Sequence, residues 1–220
     1  MLPSFSRITV STSVVLWAIA LSTVWGQEAP AIRPLLPSVE LQQPLPKETR
    51  LLIDAASIEG FLERVDGSPP NWSAVHGHDG QDERLYMLNR ERDHLRDEQH
   101  KAREVVTFFW DGELSDYDPD TNGYRIAIGP RVTPTRWGLV RFKPVELPSN
   151  LIAMPTASMR DLLQHRARTE GKTEIIVAMT GRLVSEESII YDFAHEEPRE
   201  GMVMPVIQIE QLDYFLVLPQ

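Results

Sequence analysis

The stretch Val105–Trp110 (VVTFFW) decides how the second half of this chain folds. All six of its residues are β-branched or aromatic, the types that fit a pleated sheet better than a helix. Further along, apolar residues again follow strand spacing, since Ile175, Val177 and Met179 alternate onto one face. We therefore predict a β-rich domain over residues 104–220.

Turn signals and a change of periodicity divide this domain into elements. Asn122-Gly123 marks a turn between the first two strands, and Gly171 ends a helix. Alternation in the last strand is interrupted over Gln208–Leu212, as a β-bulge would interrupt it. The predicted elements are strands at Val105–Trp110, Tyr124–Ile128 and Trp137–Phe142, an acidic loop at Asp111–Asn122, a short apolar piece at Leu151–Met154, a helix at Thr156–Arg168, and strands at Thr173–Val184, Ser188–Phe193 and Met202–Leu218.

One helix between the third and fourth strands gives the element order β-β-β-α-β-β. This order resembles that of the OB-fold, a small and partly open barrel. The resemblance is one of architecture, and it implies an α+β protein whose second half is a small antiparallel β-barrel or sheet. The alternative is an open antiparallel sheet with the helix packed on one face.

Residues 49–103 are predicted to form a helical segment before the β-rich domain. Apolar residues recur at helical spacing over Thr49–Val65, and the run ends at a Gly-Ser-Pro-Pro sequence. A second helix, Gln81–Arg103, is strongly charged and has a thin apolar stripe, with Arg92 and Gln99 at stripe positions. Such a helix packs along one seam and leaves its other faces in water. Pairing with a partner helix is the alternative.

The first 48 residues indicate export. Residues 1–26 have a short start with one positive charge, an apolar run and small residues near Gly26, which together are typical of a secretory signal peptide. Cleavage after Gly26 would give an exported protein, periplasmic or secreted. The alternative is an uncleaved membrane anchor, since Ile8–Trp25 just reaches the length that spans a bilayer. Residues 27–48 contain five prolines and are predicted to be a proline-rich tether.

Composition excludes several classes of function. The 220 residues carry 22 Lys and Arg against 32 Asp and Glu, a net charge of −10, and this argues against nucleic acid as a partner. The chain has no cysteine, so it has no disulfide, no thiol nucleophile and no thiolate metal site. No cofactor is predicted. A protein or a neutral ligand is the expected partner, and a membrane only if the signal segment stays uncleaved.

Asp118, Asp120 and Asn122 are candidate ligands of a metal site. These residues occupy positions 1, 3 and 5 of a possible calcium loop, and Gly123 occupies position 6. Position 12, where a bidentate glutamate should complete the coordination, is Gly129. The alternative interpretation is an acidic hairpin loop held by Asx turns.

No catalytic residue is assigned from sequence, although His76, His78 and Asp192 are candidates for a hydrolase. The two histidines are spaced so that one ion could bind both, and Asp192 lies on the strand face opposite Tyr191. Elsewhere the chain matches known catalytic motifs only in part. A zincin helix, for example, needs a second histidine at the position that Arg199 occupies. No P-loop, nucleophile elbow or dinucleotide turn is present either.

Two further patterns have both a structural and a functional interpretation. Asn71-Trp72-Ser73 has the form of a glycosylation sequon. Aromatic residues concentrate in the first three strands, where they form either ordinary core or a ligand platform; they are Phe108, Trp110, Tyr124, Trp137 and Phe142. The sequence thus predicts a non-catalytic binding or assembly module of the cell envelope, with a hydrolase as the alternative.

Overall fold

The computed structural model of the chain describes residues 30–34, 44–76, 79–99, 104–169, 172–194 and 200–217. The predicted signal peptide, most of the tether and His78 lie outside the described residues. No helix in the described part is long and apolar enough to cross a membrane.

Eleven strands and four helices form within these ranges. The strands are β1 (Ala31–Pro34), β2 (Arg50–Leu52), β3 (Val106–Asp118), β4 (Gly123–Gly129), β5 (Thr133–Thr135), β6 (Gly138–Val140), β7 (Lys143–Val145), β8 (Ile152–Pro155), β9 (Thr173–Leu183), β10 (Ile189–Phe193) and β11 (Gly201–Leu216). The helices are α1 (Ala55–Asp66), α2 (Trp72–Val75), α3 (Gln81–Gln99) and α4 (Ala157–Thr169).

Six of the strands pair in a closed circuit, which makes the centre of the molecule a barrel. The order is β1–β8–β4–β3–β9–β11, and β11 pairs again with β1. β1 runs parallel to both of its neighbours, with Ile32 opposite Tyr214 on one side and Pro155 on the other. The remaining pairs of the circuit are antiparallel. A segment at the start of the predicted tether therefore closes the barrel.

The structure is compatible with the predicted small barrel, but the prediction of a purely antiparallel one was wrong. The sheet has eleven strands, and β2, β6 and β7 add further parallel pairs outside the circuit. Parallel pairing joins distant segments, so no local turn signal announces it.

The predicted third strand, Trp137–Phe142, is not part of the barrel. Only Gly138–Val140 is a strand there, and it pairs with β5 and β11. The position beside β4 is taken by β8, which overlaps the short apolar piece after the predicted third strand. Trp137 and Phe142 instead pack into the core, 0% and 5% exposed.

The predicted acidic loop at 111–122 is mostly strand. β3 pairs with β9 as far as Leu114, and it continues to Asp118 because it stays paired with β4. Only residues 119–122 form the turn, where Asn122 adopts φ 60°. The turn predicted from Asn122-Gly123 is confirmed, as Asp118 pairs with Gly123 across it.

The predicted helix at Thr49–Val65 is a strand followed by a helix. β2 pairs in parallel with the start of β3, and α1 begins after Asp54. The Asp54 carboxylate accepts a hydrogen bond from the Ser57 amide at 2.8 Å, and the Ser57 hydroxyl accepts one from the Asp54 amide at 3.1 Å. This reciprocal capping box starts the helix at residue 55.

The segment before α1 covers the outer face of the barrel. Three buried threonine hydroxyls form a chain, with Thr49 2.8 Å from Thr107 and Thr107 2.6 Å from Thr180. Beside them, a small apolar cluster joins Leu45 to Phe109 and Phe215. Leu45, in the predicted tether, thus belongs to a cluster with residues of β3, β9 and β11.

The barrel interior is filled with side chains, and the aromatic residues of the first strands belong to it. Phe108, Trp110 and Tyr124 are 1%, 7% and 7% exposed. The rings of Phe108 and Phe142 stack with centroids 4.7 Å apart. The core interpretation of these aromatics is therefore confirmed, and the ligand-platform interpretation was wrong.

Candidate functional site

Helix α3 is attached to the body through polar side chains in addition to Leu85 and Leu88, which pack against the core. The side-chain amide of Asn89 pairs with the backbone of Tyr191 in β10: Nδ2 donates to the carbonyl oxygen at 2.9 Å, and the Tyr191 amide donates to Oδ1 at 2.9 Å. Asn89 thereby provides hydrogen-bond partners for the backbone amide and carbonyl groups of Tyr191, on the edge of β10 that faces α3. Covering the backbone groups of an edge strand in this way protects it against pairing with another chain.

A buried carboxylate, that of Asp66 at the end of α1, joins α1, α3 and β10. Asp66 Oδ1 accepts a hydrogen bond from Arg96 Nη1 at 2.9 Å, and Oδ2 lies 3.5 Å from Arg92 Nη1. The Tyr191 hydroxyl donates to the same carboxylate. The side chain of Asp66 is 0% exposed and that of Arg96 5%. A buried charge at this depth is tolerated because it is paired and hydrogen-bonded.

The environment of Tyr191 keeps its hydroxyl protonated. Burial raises the pKa of Tyr191 well above its ordinary value, and the neighbouring Asp66 charge and hydrogen bond raise this pKa further. The guanidinium of Arg92 lies over the ring at 5.9 Å from its centroid. Tyr191 is thus a permanent hydrogen-bond donor at neutral pH, and it helps to hold α3 in place.

A groove of about 910 Å³ runs along α3 beside this cluster, and we call it the α3 groove. Its walls are Asp66 at the end of α1 and Ser68 just after it, the residues Ala74 and Val75 of α2, and the α3 residues Glu83, Met87, Glu91 and Leu95. Met87 and Leu95 are 58% and 40% exposed. The residues from Glu83 to Leu95 follow at intervals of four, so acidic and apolar side chains alternate along one face of the helix.

The charge of the α3 groove is negative where it meets solvent. Asp79, Glu83 and Glu91 make no ion pair within the part of the chain that the structure describes. Both arginines of the groove are already engaged: Arg84 donates to the carbonyl oxygens of Val75 and Asp79, while Arg92 donates to those of Asp66 and Ser68. The groove therefore has an apolar floor with an acidic edge.

The short helix α2 forms one wall of the groove because Trp72 fixes it to the sheet. Trp72 Nε1 donates a hydrogen bond to the carbonyl oxygen of Trp137 at 2.7 Å. The side-chain oxygen of Asn71, the exposed asparagine of the sequon, accepts a hydrogen bond from the Ala74 amide at 3.3 Å and so begins the helix. The sequon is thus the N-terminal cap of α2.

The structure does not bring the two described hydrolase candidates together. His76 follows α2, and its ring packs on Phe193 with centroids 4.8 Å apart. Its Nε2 is buried without a hydrogen-bond partner among the described residues. Asp192 lies on the opposite face of β10 from Phe193, since strand side chains alternate, and its carboxylate accepts a hydrogen bond from the Phe193 amide at 2.8 Å.

Asp118, Asp120 and Asn122 lie at the β3–β4 turn. The Asp118 carboxylate accepts a hydrogen bond from the Asp120 amide at 3.0 Å, which confirms the predicted Asx turn. Its second oxygen lies 3.6 Å from Arg125 Nη2, and the Tyr117 hydroxyl pairs with the Asn122 side-chain oxygen. Among the described residues, no group of three or more His, Asp or Glu side chains is arranged to hold a metal ion.

The α3 groove was not predicted from the sequence. The sequence signal that points toward it is the polar residue Arg92 within the apolar stripe of α3, because a buried cation needs a carboxylate partner. Nothing near Asp66 in the sequence marks it as that partner. No protein-family model, curated protein or solved structure matches the chain.

Proposed function

We propose that this protein is an exported, non-catalytic module of the cell envelope that binds another polypeptide through the α3 groove. Export rests on the signal-like residues 1–26. The binding role rests on one observation: apolar side chains of α3 stand exposed beside a groove of about 910 Å³. That volume is within the range of pockets that hold a ligand.

The proposed scaffold is an OB-like barrel over residues 104–220. Strands β3, β4 and β8, then helix α4, then strands β9 and β11 follow the order β-β-β-α-β-β along the chain. In the sheet, β3 lies between β4 and β9. The proposal treats β1 as a strand inserted between β8 and β11, where it is parallel to both.

The packed interior supports an external binding surface. The barrel is lined by large buried side chains such as Phe108 and Tyr214, each 1% exposed. An interior of this kind is a core rather than a ligand cavity. The proposed binding surface is therefore on the helical segment, which the barrel carries.

Native mass spectrometry of the protein isolated gently from its own cell envelope tests this proposal. We expect a chain cleaved after Gly26 that carries a second polypeptide, both in the wild type and in His76→Ala and Asp192→Ala. A binding module tolerates these two changes, whereas a hydrolase would lose its function. A monomer that hydrolyses envelope components, with the activity lost in either variant, would overturn the proposal.

A further inference from the structure

We propose that the occupant of the α3 groove is a polypeptide segment in which apolar residues are flanked by lysine or arginine. This inference rests on the proposed function, and it adds the chemistry of the partner. Three properties of the groove carry it: its exposed apolar side chains, its carboxylates that form no ion pair with the described residues, and its length.

The apolar part of the site comes from Met87, Leu88 and Leu95 on α3 together with Val75 on α2. Met87 is more than half exposed although it stands next to the apolar wall of α2. Methionine adapts to different apolar surfaces because its side chain is unbranched and polarizable. A partner that covers Met87 and Leu95 removes apolar surface from water, which supplies the main driving force for association.

The charge of the site selects a basic segment. Asp79, Glu83 and Glu91 edge the groove without ion pairs of their own among the described residues. Arg92 is paired with the buried carboxylate of Asp66, and Arg84 brings a single positive charge that is held by the carbonyl oxygens of Val75 and Asp79. The three carboxylates therefore outnumber the positive charge at the edge of the groove. Lysine or arginine side chains of the partner would meet these carboxylates at the rim, where complementary charge sets specificity and association rate.

The same charge argues against other occupants. A second copy of this chain would present Glu83 and Glu91 to the same residues, since a two-fold contact uses one patch on both subunits. Anionic lipid surfaces and nucleic acid would be repelled by the acidic rim and by the net charge of −10. An acidic peptide is disfavoured for the same reason.

The length of the groove sets the size of the segment. The groove follows α3 from Gly80 to Leu95, about 22 Å at the rise of an α-helix. That length accommodates about seven residues in extended form, at about 3.3 Å per residue, or about four helical turns.

Site-specific photo-crosslinking in the full chain, expressed in its own cells, tests the inference. A photoreactive residue replaces Met87, and a matched variant carries it at Tyr86. Tyr86 is the adjacent residue of the same helix and is 61% exposed, but it faces the other side of α3, towards the β9–β10 turn. We expect a crosslinked segment from Met87 that contains apolar residues beside lysine or arginine, and a weaker crosslink or none from Tyr86.

The crosslinked segment, made as a synthetic peptide, should then bind the purified protein. Met87→Lys should weaken this binding at least about tenfold, which corresponds to about 1.4 kcal/mol, while Tyr86→Lys should change it less than about twofold. Replacing the peptide's basic residues by glutamine should weaken binding at low salt by a similar factor. Circular dichroism and the melting temperature of each variant show that the fold is retained.

The outcomes separate the inference from the proposed function. A crosslinked segment without basic residues, or equal crosslinks from both positions, overturns the inference but leaves the binding module intact. Native mass spectrometry could find a bound polypeptide to which the photoreactive residue in place of Met87 never crosslinks. In that case the assignment of the binding site to the α3 groove is wrong. If no polypeptide is bound in either experiment, both the inference and the proposed function are wrong.

Discussion

Gly201, the first residue of β11, lies directly beneath the indole ring of Trp72. A Cβ atom placed on Gly201 would come within 1.9 Å of Trp72 Cε2 and 2.1 Å of Cδ2. Real Cβ atoms essentially never lie within 3.0 Å of such a neighbouring atom, so only glycine permits this contact. Because Trp72 holds α2, the glycine at the start of β11 determines where one wall of the α3 groove stands.

Gly201→Ala should therefore displace Trp72 and α2. We expect a loss of about 1–3 kcal/mol in the free energy of unfolding, as for other overpacked sites, and a change in tryptophan fluorescence. Gly129→Ala is the matched control, because a Cβ at Gly129 meets nothing within 4 Å. Equal stability of the two variants in urea unfolding would show that Trp72 does not depend on Gly201.

Arg96→Met should destabilise the protein strongly because, among the described residues, it leaves the buried Asp66 carboxylate with the more distant Arg92 as its one cation, beside the neutral Tyr191 hydroxyl. Breaking a buried ion pair on one side costs about 3–5 kcal/mol. Lys172→Met serves as control: its ion pair with Glu113 at 3.2 Å is exposed, and such pairs contribute less than about 1 kcal/mol. Urea unfolding, monitored by circular dichroism, compares the free energies of unfolding of the two variants. A cost for Arg96→Met no larger than that of Lys172→Met contradicts the role assigned to the cluster.

Arg33→Met should weaken the attachment of β1 more at pH 7 than at pH 4. Burial raises the pKa of Asp213, and Arg33, 3.2 Å away, offsets part of this shift. A raised folded-state pKa means that the folded protein favours the neutral form of the carboxyl group. The group therefore contributes stability at low pH, and this contribution is lost as pH rises through the folded-state pKa. Without Arg33, the buried carboxylate keeps the hydrogen bond from Gln211 but loses its cation. It therefore destabilises the protein at pH 7, and this cost falls as the carboxyl becomes protonated in acid.

Chemical unfolding of wild type and Arg33→Met at both pH values measures this difference. Arg33→Met combined with Asp213→Asn is the control, because the second change removes the charge that Arg33 compensates. The single variant should be less stable than the double variant at pH 7 and close to it at pH 4. A stability loss that is equal at both pH values would show that Arg33 acts through packing alone.

Asp54→Ala should remove the N-terminal cap of α1. The hydrogen bond from the Ser57 backbone amide lowers the pKa of Asp54, and the Ser57 hydroxyl lowers it further. A lowered folded-state pKa gives stability above the ordinary carboxyl pKa that is lost as pH falls through the folded-state value. We expect Asp54→Ala to cost about 1 kcal/mol at pH 7 and less at pH 3.

Asp54→Asn separates the charge of the cap from its hydrogen bond. Asparagine also caps helices well, so this variant should retain most of the stability at pH 7 and lose its pH dependence. Thermal unfolding between pH 3 and pH 7 measures both effects. If Asp54→Asn is as unstable as Asp54→Ala at pH 7, the hydrogen-bonded cap does not stabilise α1.

Local patterns in the sequence were sufficient to predict some elements. The interruption of alternation predicted at Gln208–Leu212 is confirmed, since the register of β11 against β9 shifts between Ile209 and Gln211. The helix predicted at Thr156–Arg168 is α4, one residue displaced at each end. In these elements the periodicity of neighbouring residues indicates the secondary structure, so the prediction does not require knowledge of which strands or helices they pack against.

Long-range pairing explains what the sequence did not predict. β1 is four residues long and ends in a proline, so it has no periodicity to detect. Its strand conformation depends on β8 and β11, whose residues are far away in the chain. Likewise the α3 groove depends on Asp66 meeting Arg96 and Tyr191, and no short-range pattern records a contact between such distant residues.

The position of β1 also has a kinetic consequence for the folding of this protein. It precedes every other described strand, yet Ile32 pairs with Tyr214, about 180 residues further along the chain. The barrel can close only after β11 has formed. β1, the first of these strands to be synthesised, is therefore among the last to pair. Contacts at such separation slow folding, and until closure the facing edges of β8 and β11 stay open to other strands. A chaperone that shields these two edges would shorten the period in which the unfinished barrel can aggregate.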